Sequence, residues 1–169
     1  MKNCNYDYLF IGSAFFANIH GISWFIENVL PKVKGKLLII GKGTELLREK
    51  YKETEKLKIK GTVEDISKYY YENNIIVSPI FYGAGMKTKT IEAMMFNKLI
   101  VGTNEAFVGI RKEDISKLGF CCNNVNEFIE MLKKLEYKKL ETKSRDIYLR
   151  RYSFDINTLK LKEIIEEKL

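Results

Sequence analysis

A chain of 169 residues, 46% hydrophobic and 30% charged, has the size and composition of one globular domain with its own core. That excludes a disordered chain and a small scaffold dependent on disulfides. The formal charge of +7 is mostly Lys interleaved with Glu, and Arg occurs only at 48, 111, 145, 150 and 151, so no arginine-rich aromatic stripe marks a nucleic-acid reader. A solvated basic surface, a phosphate-bearing small ligand and an anionic membrane surface all remain compatible with the charge.

The elements follow in chain order. Tyr8-Leu9-Phe10-Ile11 reads as a buried strand ending at Gly12-Ser13. Asn18 is read as the cap of the next helix, with Ile22, Phe25, Ile26, Val29 and Leu30 on its core face and Pro31 as its stop. Leu37 to Ile40 is a second strand, closed by Gly41-Lys42-Gly43, and a charged helix is expected over 44–53. Leu57 to Lys60 is a third strand ending at Gly61, and 63–71 reads as a helix with Ile66, Tyr69 and Tyr70 on one side. Asn74 to Ser78 is the fourth strand. A glycine-bearing loop follows, then a helix over 86–96, a fifth strand Leu99 to Gly102, and a sixth over Gly119 to Cys122. Asn124 with Glu127 resembles a capping box for a helix that turns Val125, Phe128, Met131, Leu132 and Leu135 inward. Two more helical stretches, 136–150 and 156 onward, close the chain.

Short apolar strands alternating with helices predict an α/β fold, a Rossmann-like doubly wound parallel sheet of about six strands. The whole of 1–169 is read as a single domain with 137–169 as C-terminal helices. Ligands of such folds bind at the carboxyl ends of the strands. The loops after Ile11, Ile40, Ile59, Ser78 and Gly102 are therefore the candidates.

Cys4, Cys121 and Cys122 form no C-x-x-C pair, so neither a zinc site nor a redox motif is signalled. Reduced thiols in the cytoplasm are the simplest expectation. The first residues hold no long apolar run, which predicts neither a signal peptide nor a membrane span. His20, the sole histidine, has no carboxylate or Ser nearby in sequence and reads as a residue of the helix start. Trp24 and Phe25 read as packing residues. Tyr69, Tyr70 and Tyr71 cannot all face inward, so at least one is expected at the surface.

One loop gathers the chemistry: Gly83-Ala84-Gly85-Met86-Lys87-Thr88-Lys89-Thr90-Ile91-Glu92-Ala93. Its glycines let a ligand approach the backbone, and the free N–H groups at the start of the following helix suit a phosphate. Lys87 and Lys89 add positive charge, and Glu92 shares a helix face with Lys89. A cation and a carboxylate one turn apart match a diphosphate and a ribose. They match equally a surface ion pair contributing less than about 1 kcal/mol. The loop is not a P-loop, and Gly12-Ser13-Ala14-Phe15 is not a G-x-G-x-x-G fingerprint.

The run from Gly83 to Met94, followed by Asn97-Lys98-Leu99-Ile100-Val101-Gly102-Thr103, resembles the donor-site signature of GT-B glycosyltransferases, glycosyltransferase family 4 and its relatives. Weaker likenesses follow in the same order: Phe10 to Ser13 with Asn18 and Gly21, Leu38 to Gly43, Lys60 to Ile66, Val77 to Ile80, and Tyr152-Ser153-Phe154. Together they cover about residues 6 to 168.

The resemblance implies one half of a GT-B fold, the half that binds a nucleotide-sugar donor. Gly12, Ser13, Gly83, Ala84, Gly85, Met86, Lys87, Thr88 and Lys89 would line the donor site, with Glu92 on the ribose and Gly61, Thr62 and Val63 facing the base. The implied activity is sugar transfer from a UDP- or GDP-sugar to an acceptor hydroxyl, with retention, in polysaccharide or glycoconjugate biosynthesis. No metal or other cofactor is implied, because helix dipole and basic residues stabilise the leaving diphosphate. Many relatives carry a Glu where Ala84 stands, and an Arg and a Lys near Ser13 and His20. A branch with Gly-x-Gly-x-Lys/Arg-x-Lys lacks the Glu at Ala84.

The implied N-terminal acceptor domain is absent from these residues, so the isolated chain is expected to bind nucleotide and to transfer little sugar. The implied partners are that domain or a separate subunit. The implied location is the cytoplasm, with peripheral association of the whole enzyme at the inner membrane face as a further expectation. The alternative is a non-catalytic nucleotide- or sugar-binding module, or a subunit of a split glycosyltransferase. A receiver domain is disfavoured because no acidic cluster follows the first strand.

Overall fold

A computed structural model describes residues 6–136 and 142–167. Cys4 and the stretch 137–141, expected to begin a helix, lie outside the described residues. The strands are β1 (Tyr8–Ile11), β2 (Leu37–Ile40), β3 (Leu57–Gly61), β4 (Ile75–Ser78), β5 (Leu99–Gly102) and β6 (Gly119–Cys121). They form one parallel sheet in the order β3-β2-β1-β4-β5-β6. The helices are α1 (Phe16–Asn28), α2 (Ser67–Glu72), α3 (Thr88–Met95), α4 (Lys112–Leu118), α5 (Val125–Leu135), α6 (Ser144–Arg151) and α7 (Phe154–Glu166).

Side chains alternate across a strand, so each apolar run feeds two cores. Tyr8, Phe10, Leu37, Ile39, Val77 and Val101 pack against Ile22, Phe25 and Ile26 of α1 and Phe128 and Leu132 of α5. Leu9, Ile11, Leu38, Ile40, Ile76 and Ile100 face the other way, toward Tyr69 and Tyr70 of α2, Met94 of α3, Leu118 of α4 and Ile147 of α6. Each large aliphatic side chain so buried contributes about 1.5–3 kcal/mol against the cost of ordering the chain. Coverage of both faces explains why these strands are continuously apolar rather than alternating. On the edge strand β3, by contrast, Lys58 and Lys60 are exposed.

Several boundaries differ from the sequence expectations. Helix α1 starts at Phe16, before Asn18, and Phe15 at its N-cap makes no side-chain cap. Asn18 lies inside the first turn and donates from Nδ2 to the Ser13 carbonyl at 2.9 Å. The expected helix over 44–53 is a 3-10 turn, Thr44–Glu49. Side chains hold this segment to β3: Arg48 donates to the Ile59 carbonyl, and Glu53 accepts from the Ile59 amide at 2.9 Å and pairs with Lys58 at 2.6 Å. Helix α3 begins at Thr88 rather than Met86, because Gly85 just before it has φ +71°, outside helical space.

A 3-10 turn at Asn104–Phe107 and helix α4 escaped the sequence reading, since α4 carries only Ile115 and Leu118 as apolar residues. In α4, Asp114 is buried and pairs with Arg151 of α6 at 2.9 Å. The Asn124 cap holds: its Oδ1 accepts from the Glu127 amide at 3.1 Å, while Glu127 reaches back to the Asn123 amide at 2.6 Å. Tyr69 and Tyr70 are buried and Tyr71 is exposed, which resolves the tyrosine triplet. Ser153 caps α7, and none of α7's residues is buried.

Candidate functional site

The strand order reverses direction between β1 and β4, so the loops leaving these two strands diverge and open a crevice at their carboxyl ends. The turn Gly12–Phe15 forms one wall. It is tied to β2 by the Gly12 amide on the Ile40 carbonyl at 3.1 Å and by the Ala14 amide on the Lys42 carbonyl at 2.8 Å. The other wall is the loop Pro79–Lys87 and the start of α3. Gly83 and Gly85 have φ of +130° and +71°, which other residues adopt only with strain, and an added Cβ at Gly85 would meet no atom within 4 Å. Ser13, Gly83, Ala84, Gly85, Met86 and Thr88 are all exposed.

Lys89 is the centre of the crevice. It lies in the first turn of α3 but is only 7% exposed. Its Nζ donates to Asn18 Oδ1 at 2.6 Å and sits 4.3 Å from the centroid of the Phe10 ring. A Cβ on Gly12 would come within 2.9 Å of that Nζ, so glycine at this position leaves the amine open to the turn. Among the described residues, Asn18 is its only hydrogen-bond acceptor and no carboxylate stands within ion-pair distance. Burial lowers the amine from its ordinary 10.5 to about 7, opposed by the charge of Glu92 and reinforced by that of Lys87. The surface ion pair that the sequence left open is therefore not formed.

Glu92, one turn further along α3, is half-buried and accepts from the Tyr70 hydroxyl through Oε2 at 3.0 Å. Burial, with Glu92 beside it, pushes the Tyr70 phenol well above its usual range, so Tyr70 remains a donor. Its ring stacks on Phe96 at 4.7 Å, which holds the hydroxyl under Glu92. Lys87 is already engaged: its Nζ donates to Glu105 Oε1 and to the Gly85 carbonyl, each at 2.7 Å. Glu105 comes from the 3-10 turn after β5. Thr90 of α3 also donates to the Ala106 carbonyl of that turn, at 2.7 Å. Lys87 thus locks the loop and contributes less open charge than its sequence position suggested.

Gly61, Thr62 and Val63 leave the end of β3, two strands from β1. That is about 10 Å across the sheet, within reach of a ligand as long as a nucleotide. Thr62 is exposed and Val63 packs on the core. The structure therefore gathers Gly12, Ser13, the Gly83–Lys89 loop and Glu92 at one crevice, with the β3 loop to one side. Asn18, Tyr70 and Glu105 are neighbours to which sequence reading gave no role in the site: Asn18 was read as a helix cap, Tyr70 as a residue on one side of a helix, and Glu105 lay in the candidate loop after Gly102.

The crevice has an aromatic rim. Phe16 and Tyr82 are exposed, with centroids 5.9 Å apart, and His20 forms a triangle with them, 5.8 Å from Phe16 and in edge contact with Tyr82 at 4.9 Å. Trp24 is half-buried and packs on Phe81 and Phe128. A groove of about 520 Å³ lined by Phe16, His20, Ser23 and Trp24 runs from the rim along α1. Phe15, Met86 and Val108 extend the exposed apolar surface around the mouth. Among the described residues, no helix is long and apolar enough to cross a membrane.

Comparison with known proteins agrees with this fold. A Klebsiella pneumoniae protein described as an uncharacterised 44.6 kDa protein in the cps region is 28% identical over 118 residues, covering 62% of this chain and 30% of the relative. Sucrose-phosphate synthase from Thermosynechococcus elongatus superposes with a TM-score of 0.75 at 15% identity, over 97% of this chain and 46% of that one. S. aureus TarM, crystallised with UDP among its ligands, superposes with a TM-score of 0.73 at 19% identity, over 95% and 35%. The chain thus spans 30% to 46% of the length of these proteins. At such identities the solved structures establish the fold, one Rossmann-like half of a GT-B enzyme. The family model for glycosyl transferases group 1 matches residues 5–136, from β1 through the Lys89 crevice to the end of α5, and the chain belongs to that family.

Proposed function

We propose that this domain binds the nucleotide-sugar donor of a glycosyltransferase, with the diphosphate in the Lys89 crevice and the ribose on Glu92. One observation carries the reading: a buried cation at the strand-order reversal whose only hydrogen-bond acceptor among the described residues is neutral. Burying a charge without a counter-charge is costly, so the arrangement makes sense when an anion completes it. The open first turn of α3, which no side chain caps, adds free N–H groups beside it. In transfer, the bond from the sugar's anomeric carbon to the diphosphate breaks, the acceptor oxygen bonds to that carbon, and the acceptor's proton passes to the departing diphosphate. Lys89 and the α3 terminus stabilise the charge left on the departing diphosphate. Retention at the anomeric carbon remains the stereochemistry implied by the family likeness.

The acceptor side belongs to a second domain, in the same chain or a separate subunit. The exposed Phe15, Phe16, Tyr82, Met86 and Val108 around the mouth support this, as does α7 with Leu159, Ile164 and Ile165 exposed. The relative from a cps region supports a role in surface polysaccharide assembly. A second reading, a binding subunit within a split glycosyltransferase, is favoured by the same rim and by the likeness to a chain of the GtfA/B complex, TM-score 0.66.

The test is calorimetric titration of the chain with UDP, GDP and their sugar conjugates, beside Glu92→Ala. Saturable binding of one nucleotide, weakened in the variant, supports the donor site and identifies the base. Equal binding by wild type and variant removes Glu92 from the site.

A further inference from the structure

We propose that Lys89 and Asn18 form a proton-linked receptor for a nucleoside diphosphate, in which Asn18 holds the amine in place and arrival of the anion draws a proton onto Lys89. The proposal rests on the donor-site reading and adds a regulation of that site. An ammonium has three N–H groups to satisfy, and Asn18 Oδ1 takes one at 2.6 Å. The Phe10 ring closes one side, and the side toward Gly12 is left open by the absent Cβ. Asn18 is itself anchored by its Nδ2 on the Ser13 carbonyl, so the turn after β1 and helix α3 are joined through one amide. An amide orients the amine without supplying the charge that would keep it protonated.

The groups facing Lys89 are few. On its own helix, Glu92 favours the charged form and Lys87 opposes it. From α2 comes the Tyr70 hydroxyl, bonded to Glu92 and kept neutral by burial. From α1 and β1 come the uncharged Asn18 and Phe10. Glu105, beyond Lys87, is paired with Lys87. Burial outweighs these groups and brings the amine to about 7. A diphosphate against Nζ supplies the missing counter-charge and moves the amine back toward its ordinary range. The step is one proton from solvent to the neutral amine, with no other bond changed.

The experiment titrates the 169-residue chain with UDP and with GDP at pH 8, where the phosphates are fully ionised. It is repeated in buffers of different ionisation enthalpy to count protons. The expected result is uptake of about 0.9 proton per bound nucleotide, with affinity falling about tenfold per pH unit above roughly pH 7.5. Asn18→Asp places a carboxylate at the amine, in a helix first turn that tolerates acid. It is expected to abolish the uptake while weaker binding persists. Lys89→Gln loses both the uptake and at least about tenfold in affinity. Independently, carbon-13 NMR of the lysine side chains in the free chain is expected to show one lysine titrating near neutrality, absent in Lys89→Gln.

Binding without proton uptake, or uptake unchanged in both variants, overturns the proposal and leaves the donor site standing. A free chain whose lysines all titrate above about pH 9 overturns it whether or not nucleotide binds. Failure of both nucleotides to bind while one lysine titrates near neutrality removes the donor-site reading, and the proposal with it.

Discussion

Replacing Lys89 by Met separates the cost of the buried cation from its use. In the free chain the amine is 7% exposed and held at about 7, against 10.5 ordinarily. A lysine lowered on folding binds fewer protons in the native than in the unfolded state between those two values. Native stability therefore rises with pH across that window, and the full penalty is present below about pH 7. Taken whole, the shift corresponds to roughly 5 kcal/mol, and relaxation around the site reduces what a substitution recovers. Met fills most of the same volume without charge, so Lys89→Met is expected to stabilise the free chain by about 1–3 kcal/mol at pH 6. That raises Tm by about 2–10 °C for a chain of this size. The gain shrinks as the pH rises from about 7 toward 10.5, above which the wild-type amine is neutral in both states. Urea unfolding of both proteins at pH 6 and pH 9.5 measures this directly. The same variant is expected to bind UDP or GDP about 10- to 100-fold more weakly, the loss of one charge-assisted contact. A Met variant less stable than wild type at pH 6, or a stability difference independent of pH, would show that the cation is already compensated and would remove the argument for an anion site.

Other substitutions test neighbouring parts of the argument. Tyr70→Phe deletes the hydroxyl that orients Glu92 and is expected to weaken nucleotide binding about 3- to 10-fold, read by calorimetry, with a stability change near 1 kcal/mol. Gly21→Ala places a Cβ against the Pro79 carbonyl where α1 crosses the end of β4, and should cost about 1–3 kcal/mol by urea unfolding. Arg151→Ala leaves Asp114 buried with, among the described residues, only the more distant Lys117, and should destabilise the chain by about 1–3 kcal/mol near neutral pH. Phe16→Ser with Tyr82→Ser removes the exposed rings at the mouth. The wild-type chain, with this apolar mouth exposed, is expected to self-associate in sedimentation, and the double variant to do so less without a change in Tm of more than a few degrees.

The sequence alone determined the layers and the place to look. Four- and five-residue apolar runs alternating with amphipathic helices admit few arrangements besides a parallel sheet covered on both faces, because each run must bury both of its sides. The Gly83–Glu92 stretch announced itself through local chemistry: glycines that let a ligand approach the backbone, then lysines at a helix start. Local signals misplaced what nonlocal contacts control. Asn18 looked like a cap because capping is read from neighbours, yet its partner is Lys89, 71 residues away. Helix periodicity put Lys89 and Glu92 on one face but said nothing of what that face meets. Phe10 and Asn18 on one side and Tyr70 on the other separate the two charges and bury one of them. Glu105 was legible only as part of the ligand-facing segment after the fifth strand, and its partner Lys87 emerged when the turn after β5 came against α3. The pattern of burial is written along the chain, but which polar groups meet in the crevice depends on strand order, and strand order is decided only when the whole sheet packs.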